Sequence, residues 1–109
     1  MADKTVIKAV QNYLRFLIAQ GIPVSYGVLY GSYATGKAHK WSDIDLLVVS
    51  PKFDGKRTTE DYESLWIYAG RLDNRIEPIP VGEKQYREDD ENIIIEIARR
   101  EGQIIPLAE

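Results

Sequence analysis

From Lys4 to Gln20 apolar residues return every three or four positions, at Val6, Val10, Tyr13, Leu14, Leu17 and Ile18. That period predicts an amphipathic helix, with Asp3 as its cap and Gly21 followed by Pro23 as its stop. Ser25 to Tyr30 reads as a strand running directly into Gly31-Ser32. Ile44 to Val49 is a second strand, apolar enough to be buried on both faces, and Ser50-Pro51 ends it. A polar, lysine-rich loop follows. The next helix runs from about Thr59 to Gly70, capped by Thr58 or Thr59, with acidic residues in its first turn. Its Tyr62, Leu65, Trp66, Tyr68 and Ala69 are expected to form mainly its buried side, with some surface left for a partner.

Arg75 to Val81 predicts a third strand, which Pro78 and Pro80 place at an edge or a bulge because proline cannot donate to a ladder. Asn92 to Glu101 is ambiguous, since Ile93-Ile94-Ile95 suits a strand. Arg99-Arg100 ahead of Gly102 resembles the last turn and terminal glycine of a helix, and the helix is preferred. Gln103 to Leu107 is then a short final strand. The order helix, strand, strand, helix, strand, helix, strand predicts an α/β (α+β) fold, a small mixed β-sheet with helices packed on it.

Composition narrows the function classes. A chain of 109 residues is expected to form a single domain over residues 1–109, burying roughly 65% of its unfolded surface. Its net charge of −3 argues against a broad nucleic-acid face, although Lys37, Lys40, Lys52, Lys56 and Arg57 form a local basic group. The absence of cysteine excludes disulfides, thiolate metal sites and thiol nucleophiles. No stretch has the length of a membrane span and the first twenty residues lack a signal-peptide pattern, so a cytoplasmic location is expected.

Two adjoining motifs carry the chemistry. Gly31-Ser32-Tyr33-Ala34-Thr35-Gly36 is a small-residue turn at a strand end, and Ser42-Asp43-Ile44-Asp45 follows after five residues. Gly31 and Gly36 permit tight bends and close approach of a ligand, and a helical turn after Ser32 would aim N–H groups at an anion. Asp43 and Asp45 lie about 7 Å apart along a strand start and on one face. Two such carboxylates raise each other's proton affinity unless a cation lies between them. With oxygen ligands alone, that cation would be Mg²⁺. An isolated pair of this kind more often caps a turn and faces solvent; the preceding glycine turn is what makes this one specific.

The pattern G-S-x-A-x-G, five residues, then S-D-I-D-L resembles the signature of nucleotidyltransferases of the DNA polymerase β superfamily. The short chain is similar to the minimal branch of bacteria and archaea, whose members are often encoded beside a HEPN-domain protein. The resemblance implies a nucleotidyltransferase fold. It implies nucleotide binding at Gly31, Ser32, Lys37 and Ser42, and two Mg²⁺ ions held by Asp43, Asp45 and a third carboxylate from a later strand. Glu77, in Arg75-Ile76-Glu77-Pro78, is the candidate, since it is the one acidic residue within a later predicted strand. Its plainer alternative is an edge residue paired with Arg75 or a lysine. Thr35 stands where many relatives carry a basic residue, a role Lys37 could take. His39 lies in a polar loop and is expected to be noncatalytic; Trp41 and Tyr33 could stack on a base or cover the core.

The resemblance thus implies transfer of a nucleoside monophosphate, AMP from ATP, to an acceptor hydroxyl on a HEPN-type toxin partner. The alternative is an antitoxin or nucleotide-binding module that neutralises a partner without catalysis. A nucleotide-binding subunit of a larger transferase is a third reading, and a homo-oligomer stays open.

Overall fold

The period of the N-terminal segment is realised as helix α1, Lys4–Ala19, in the computed structural model, which describes residues 3–39 and 42–107. Lys40 and Trp41, singled out above, lie outside the described residues. The Asp3 carboxylate accepts the N–H groups of Thr5 and Val6 at 2.8 and 3.1 Å, and Gly21 carries the chain away at φ +93°. Val6, Val10, Tyr13, Leu14 and Leu17 are buried, whereas Ile18, at the margin of that stripe, is 41% exposed.

Strand β1, Tyr26–Tyr30, runs into the single-turn helix α2, Ser32–Thr35. Strand β2, Ile44–Ser50, ends in a 3₁₀ turn over Pro51–Phe53, where Ser50 accepts the Lys52 N–H and donates to Pro23 O. Helix α3 spans Thr59–Leu72 behind a Thr58–Asp61 capping box. Strand β3, Ile76–Gly82, helix α4, Glu83–Glu88, helix α5, Ile93–Glu101, and strand β4, Gln103–Ile105, complete the chain.

The sheet order is β3-β2-β1-β4, with β1 antiparallel to β2 and β4, and β2 parallel to β3. This is the mixed sheet expected. One face, with Leu29, Ile44, Leu46, Val48 and Ile76, packs on α1 and α3. The other, with Val28, Leu47, Val49 and Val81, packs on Tyr86 of α4 and on Ile95 and Ala98 of α5. Strand β2 is therefore covered on both sides, as its apolar run implies. The prolines of β3 meet their expectation too: β3 is an outer strand, and their spacing of two directs both missing N–H groups to the same side. Tyr13, fully buried, donates its hydroxyl to Leu65 O at 2.8 Å and so joins α1 to α3.

Four details differ from the sequence expectation. The buried stripe of α3 is Leu65 and Ala69, with Tyr68 against Phe16 at 5.3 Å; Trp66 and Tyr62 turn outward, 48% and 42% exposed. Asn92 caps α5 by accepting the Ile95 N–H, which settles the ambiguous segment as helix, but Gly102 is not left-handed there. Its hydrogen is needed because a Cβ would strike Ala98 O. The last strand stops at Ile105, ahead of Pro106. Helix α4 was not expected; Asp54, 30 residues upstream, supplies its cap to the Lys84 N–H.

Candidate active site

Where β1 leaves the sheet and β2 and β3 begin, the pairing register places three chemical residues level with one another. Asp45 of β2 is opposite Tyr30 on β1 and opposite Glu77 on β3. Side-chain alternation sends Ile44 and Ile76 into the core against α1 and α3. Asp45, Glu77 and Tyr30 consequently occupy the other face, in line with Leu47, Ile79 and Val28. Asp43 sits just before β2 and is exposed. Its neighbour Ile44 donates its N–H to Arg75 O at 2.7 Å, which ties the aspartate segment to the start of β3.

This crowding of like charges has an electrostatic signature. Glu77 shares a hydrogen bond with the Asp43 carboxylate; that bond, partial burial, and the charges of Asp43 and Asp45 push its pKa up to about 7. Burial and the Asp43 charge raise the Asp45 pKa. Burial followed by the charges of Asp45 and Glu77 raises the Tyr30 hydroxyl to about 12. The plainer alternative for Glu77, a pairing with Arg75, is not what forms: Arg75 binds Asp73 through Nε at 3.0 Å and Nη2 at 2.7 Å.

The glycine turn joins the same site. Gly31 adopts φ +75° and ψ −151°, and a Cβ there would collide with Asp45 Oδ2, so the turn and the aspartate are in contact. After Gly31, Ser32–Thr35 makes the helical turn anticipated above, and Gly36 leaves it in the left-handed region at φ +77°. The N–H groups of Ala34 and Thr35 bond back to Gly31 O, while those of Ser32 and Tyr33 precede the first bond of the turn and point outward from its start.

Other sequence candidates are placed as follows. Lys37 is exposed, one residue beyond the turn, and its N–H bonds Ser32 O at 3.0 Å. Thr35 directs its hydroxyl to Gly31 O. Ser42 accepts the His39 N–H on its hydroxyl at 2.9 Å and returns its own N–H to His39 O, so it shapes the loop ahead of Asp43. His39 is exposed in that loop. Tyr30 was not singled out from the sequence, although its place directly before Gly31 was a usable signal.

A family model described as the nucleotidyltransferase domain matches residues 11–103. The chain belongs to the nucleotidyltransferase domain family. The match runs from within α1 to the first residue of β4, so the glycine turn, both aspartates and Glu77 all lie inside it. Two solved structures resemble this nucleotidyltransferase domain. One is a toxin-antitoxin crystallised with AMP-PNP, with a TM-score of 0.60 and 22% identity over 87% of this chain and 71% of that one. The other is a candidate nucleotidyltransferase from Sulfolobus solfataricus, with a TM-score of 0.61 and 15% identity over 90% of this chain and 77% of that one. At these identities the likeness is one of fold. No curated protein sequence gives a significant match.

Proposed function

We propose that this nucleotidyltransferase domain transfers a nucleoside monophosphate, AMP from ATP, to a hydroxyl on a partner protein. The observation that carries the reading is the position of Asp45, which is against the Gly31 turn on one side and level with Glu77 on the other. A phosphate-binding turn and a carboxylate set are of little use apart. Here they touch.

The donor set suits Mg²⁺, because it offers carboxylate oxygens and no nitrogen or sulfur ligand. Among the described residues no three such side chains already form a metal cage; beside Asp43 and Asp45 the Glu77 carboxyl instead keeps its proton up to about pH 7. A cation would take over what that proton does, which is to hold like-charged groups together. Asp43, Asp45 and Glu77 are the residues proposed to hold two Mg²⁺ ions, whose chemistry would be to neutralise phosphate charge and acidify the acceptor hydroxyl. Gly31 and Ser32, with Lys37 and Ser42 nearby, would receive the triphosphate. The acceptor oxygen then bonds to the α-phosphorus as the bond from that phosphorus to the β-bridging oxygen breaks. Pyrophosphate leaves, and the acceptor proton passes to solvent or to Glu77.

The partner is proposed to be a HEPN-type toxin, which the structural resemblance to a toxin-antitoxin supports. A second reading, neutralisation by binding alone, is favoured by the outward Tyr62, Trp66 and Ile67 of α3 and Ile93 and Ile94 of α5. Labelling with each α-labelled NTP and Mg²⁺, with and without the product of the neighbouring gene, separates the two. The catalytic reading expects label on the partner and none with Asp43→Asn/Asp45→Asn. Full neutralisation by that double variant would instead establish binding alone.

A further inference from the structure

Helices α3 and α5 cover opposite faces of the sheet, so a pocket that both of them line must open at an edge of it. Such a pocket, of about 60 Å³, lies over the outer strand β3, between Tyr62 of α3 and Ile94 of α5, with Ile79, Pro80 and Val81 in its lining. Trp66 and Ile67 continue its apolar rim along α3, and Ile93, 71% exposed, continues it along α5.

The backbone of that edge is closed to strand addition. Ile44 donates to Arg75 O, which sets the odd-numbered residues of β3 toward β2 and the even-numbered ones outward. Pro78 and Pro80 have no N–H to offer. The Ile76 N–H is bonded to Asp73 O at 3.1 Å, and the Gly82 N–H to Gln85 Oε1 at 3.1 Å. An added strand would find no donor there. A helix asks for none, because its backbone bonds are internal.

Charge narrows the partner further. Glu63 shares the exposed face of Trp66 and Ile67, and Asp90 and Glu91 lead into α5. Among the described residues none of these three carboxylates is in an ion pair. Arg57 also lines the pocket, but its Nη1 is bonded to Phe53 O at 3.0 Å and Gln85 Oε1 at 2.5 Å. We propose that the β3 edge is a docking surface for an amphipathic helix of a partner protein. One apolar side chain enters the pocket, and lysines or arginines beside it meet the carboxylates. A second copy of this chain would bring like acids face to face. The docking itself is independent of the reaction; its part in transfer rests on the function proposed above. Pro80 follows Glu77 by three residues, about 10 Å of strand, so a partner seated there is beside the carboxylates.

Calorimetry with the full chain and the purified product of the neighbouring gene tests this. Ile94→Asp should weaken binding about 30-fold or more, as loss of a central anchor does. Should Ile94→Asp not fold, Tyr62→Asp takes its place. Glu63→Lys/Glu91→Lys should weaken binding about tenfold, and added salt should weaken wild type more than this double variant. Ile18→Asp, which alters an exposed apolar residue of α1, should bind as wild type does. A photocrosslinker at position 94 should mark a helical segment of the partner that carries lysine or arginine.

No binding by wild type, undiminished binding by Ile94→Asp, or crosslinking to an extended or acidic segment overturns the proposal. So does a wild-type dimer in sedimentation that Ile94→Asp dissociates, which would assign the edge to a second copy. Asp43→Asn/Asp45→Asn should bind with wild-type affinity. Binding at this edge without any labelling would sink the transfer reading alone, and labelling that Ile94→Asp leaves intact would sink the docking surface alone.

Discussion

The two ends of β2 carry aspartates in opposite electrostatic states. At its start, Asp45 lies with Asp43 and Glu77 among like charges, and its proton affinity is raised by burial and by Asp43. Beyond its end, Asp54 is surrounded by donors: it accepts the N–H groups of Lys84 at 3.0 Å and Gln85 at 3.2 Å, which hold its pKa below the usual carboxylate range. Gln85 is itself tied to Arg57 at 2.5 Å and to the Gly82 N–H at 3.1 Å. One end is satisfied by the protein; the other is left for something the protein does not supply. Such unresolved repulsion on a rigid strand is where a ligand's binding energy is gained.

Each end also has a glycine pressed against its aspartate, and changing them should have unequal consequences. A Cβ on Gly31 would strike Asp45, and one on Gly82 would strike Asp54. Gly31 has φ +75° while Gly82 has φ −69°, so only the first substitution strains the backbone as well. Gly31→Ala should cost about 1–3 kcal/mol of stability and lower nucleotide transfer on the order of 100-fold, as expected when a reacting group is displaced. Gly82→Ala should cost about 1–3 kcal/mol through crowding alone and leave transfer per folded molecule within about twofold. Urea unfolding with a labelling assay measures both. Equal loss of transfer in the two variants would show that the ends are not functionally distinct.

The ends should differ in pH dependence too. Glu77 has its pKa raised from 4.5 to about 7 in the folded chain by its hydrogen bond to Asp43, burial and its acidic neighbours. A carboxyl with a raised folded pKa binds more protons folded than unfolded. Its contribution is therefore fully present below 4.5 and is lost as pH rises through about 7. Thermal unfolding across that window should show a melting temperature falling with rising pH. Glu77→Gln should flatten that fall, and Mg²⁺ should oppose it by replacing the proton. A fall that persists undiminished in Glu77→Gln would assign it to another group.

What could be read from the chain follows how local each feature is. The glycine turn and Asp43-Ile44-Asp45 are contiguous, and strand alternation alone puts Ile44 in the core and Asp45 on the other face. Glu77 is separated from them by α3, and only the resemblance, with the placing of β3, brought it to Asp45. Helix α4 is rich in good helix formers, Glu, Lys, Gln and Arg, but at six residues it is too short to show a period, and its cap, Asp54, comes from 30 residues away. The period of α3 was visible, but aromatic character pointed to Trp66 as buried when the packed stripe is Leu65 and Ala69.

The smallest expected effect tests the satisfied end. Asp54→Asn keeps an oxygen for the cap of α4 and removes the charge that favours the start of a helix, so it should cost about 0.5 kcal/mol near neutral pH. The sign is opposite to that at Glu77. Asp54 has its pKa lowered from 3.8, first by the Lys84 N–H, so its contribution is present above 3.8 and is lost as pH falls through the depressed value. Asn cannot titrate. Urea denaturation of wild type and Asp54→Asn should therefore give curves that differ near neutrality and converge in acid, with transfer unaffected. A difference that grows as pH falls would mean that the Asp54 carboxylate is held by something other than the amides of α4.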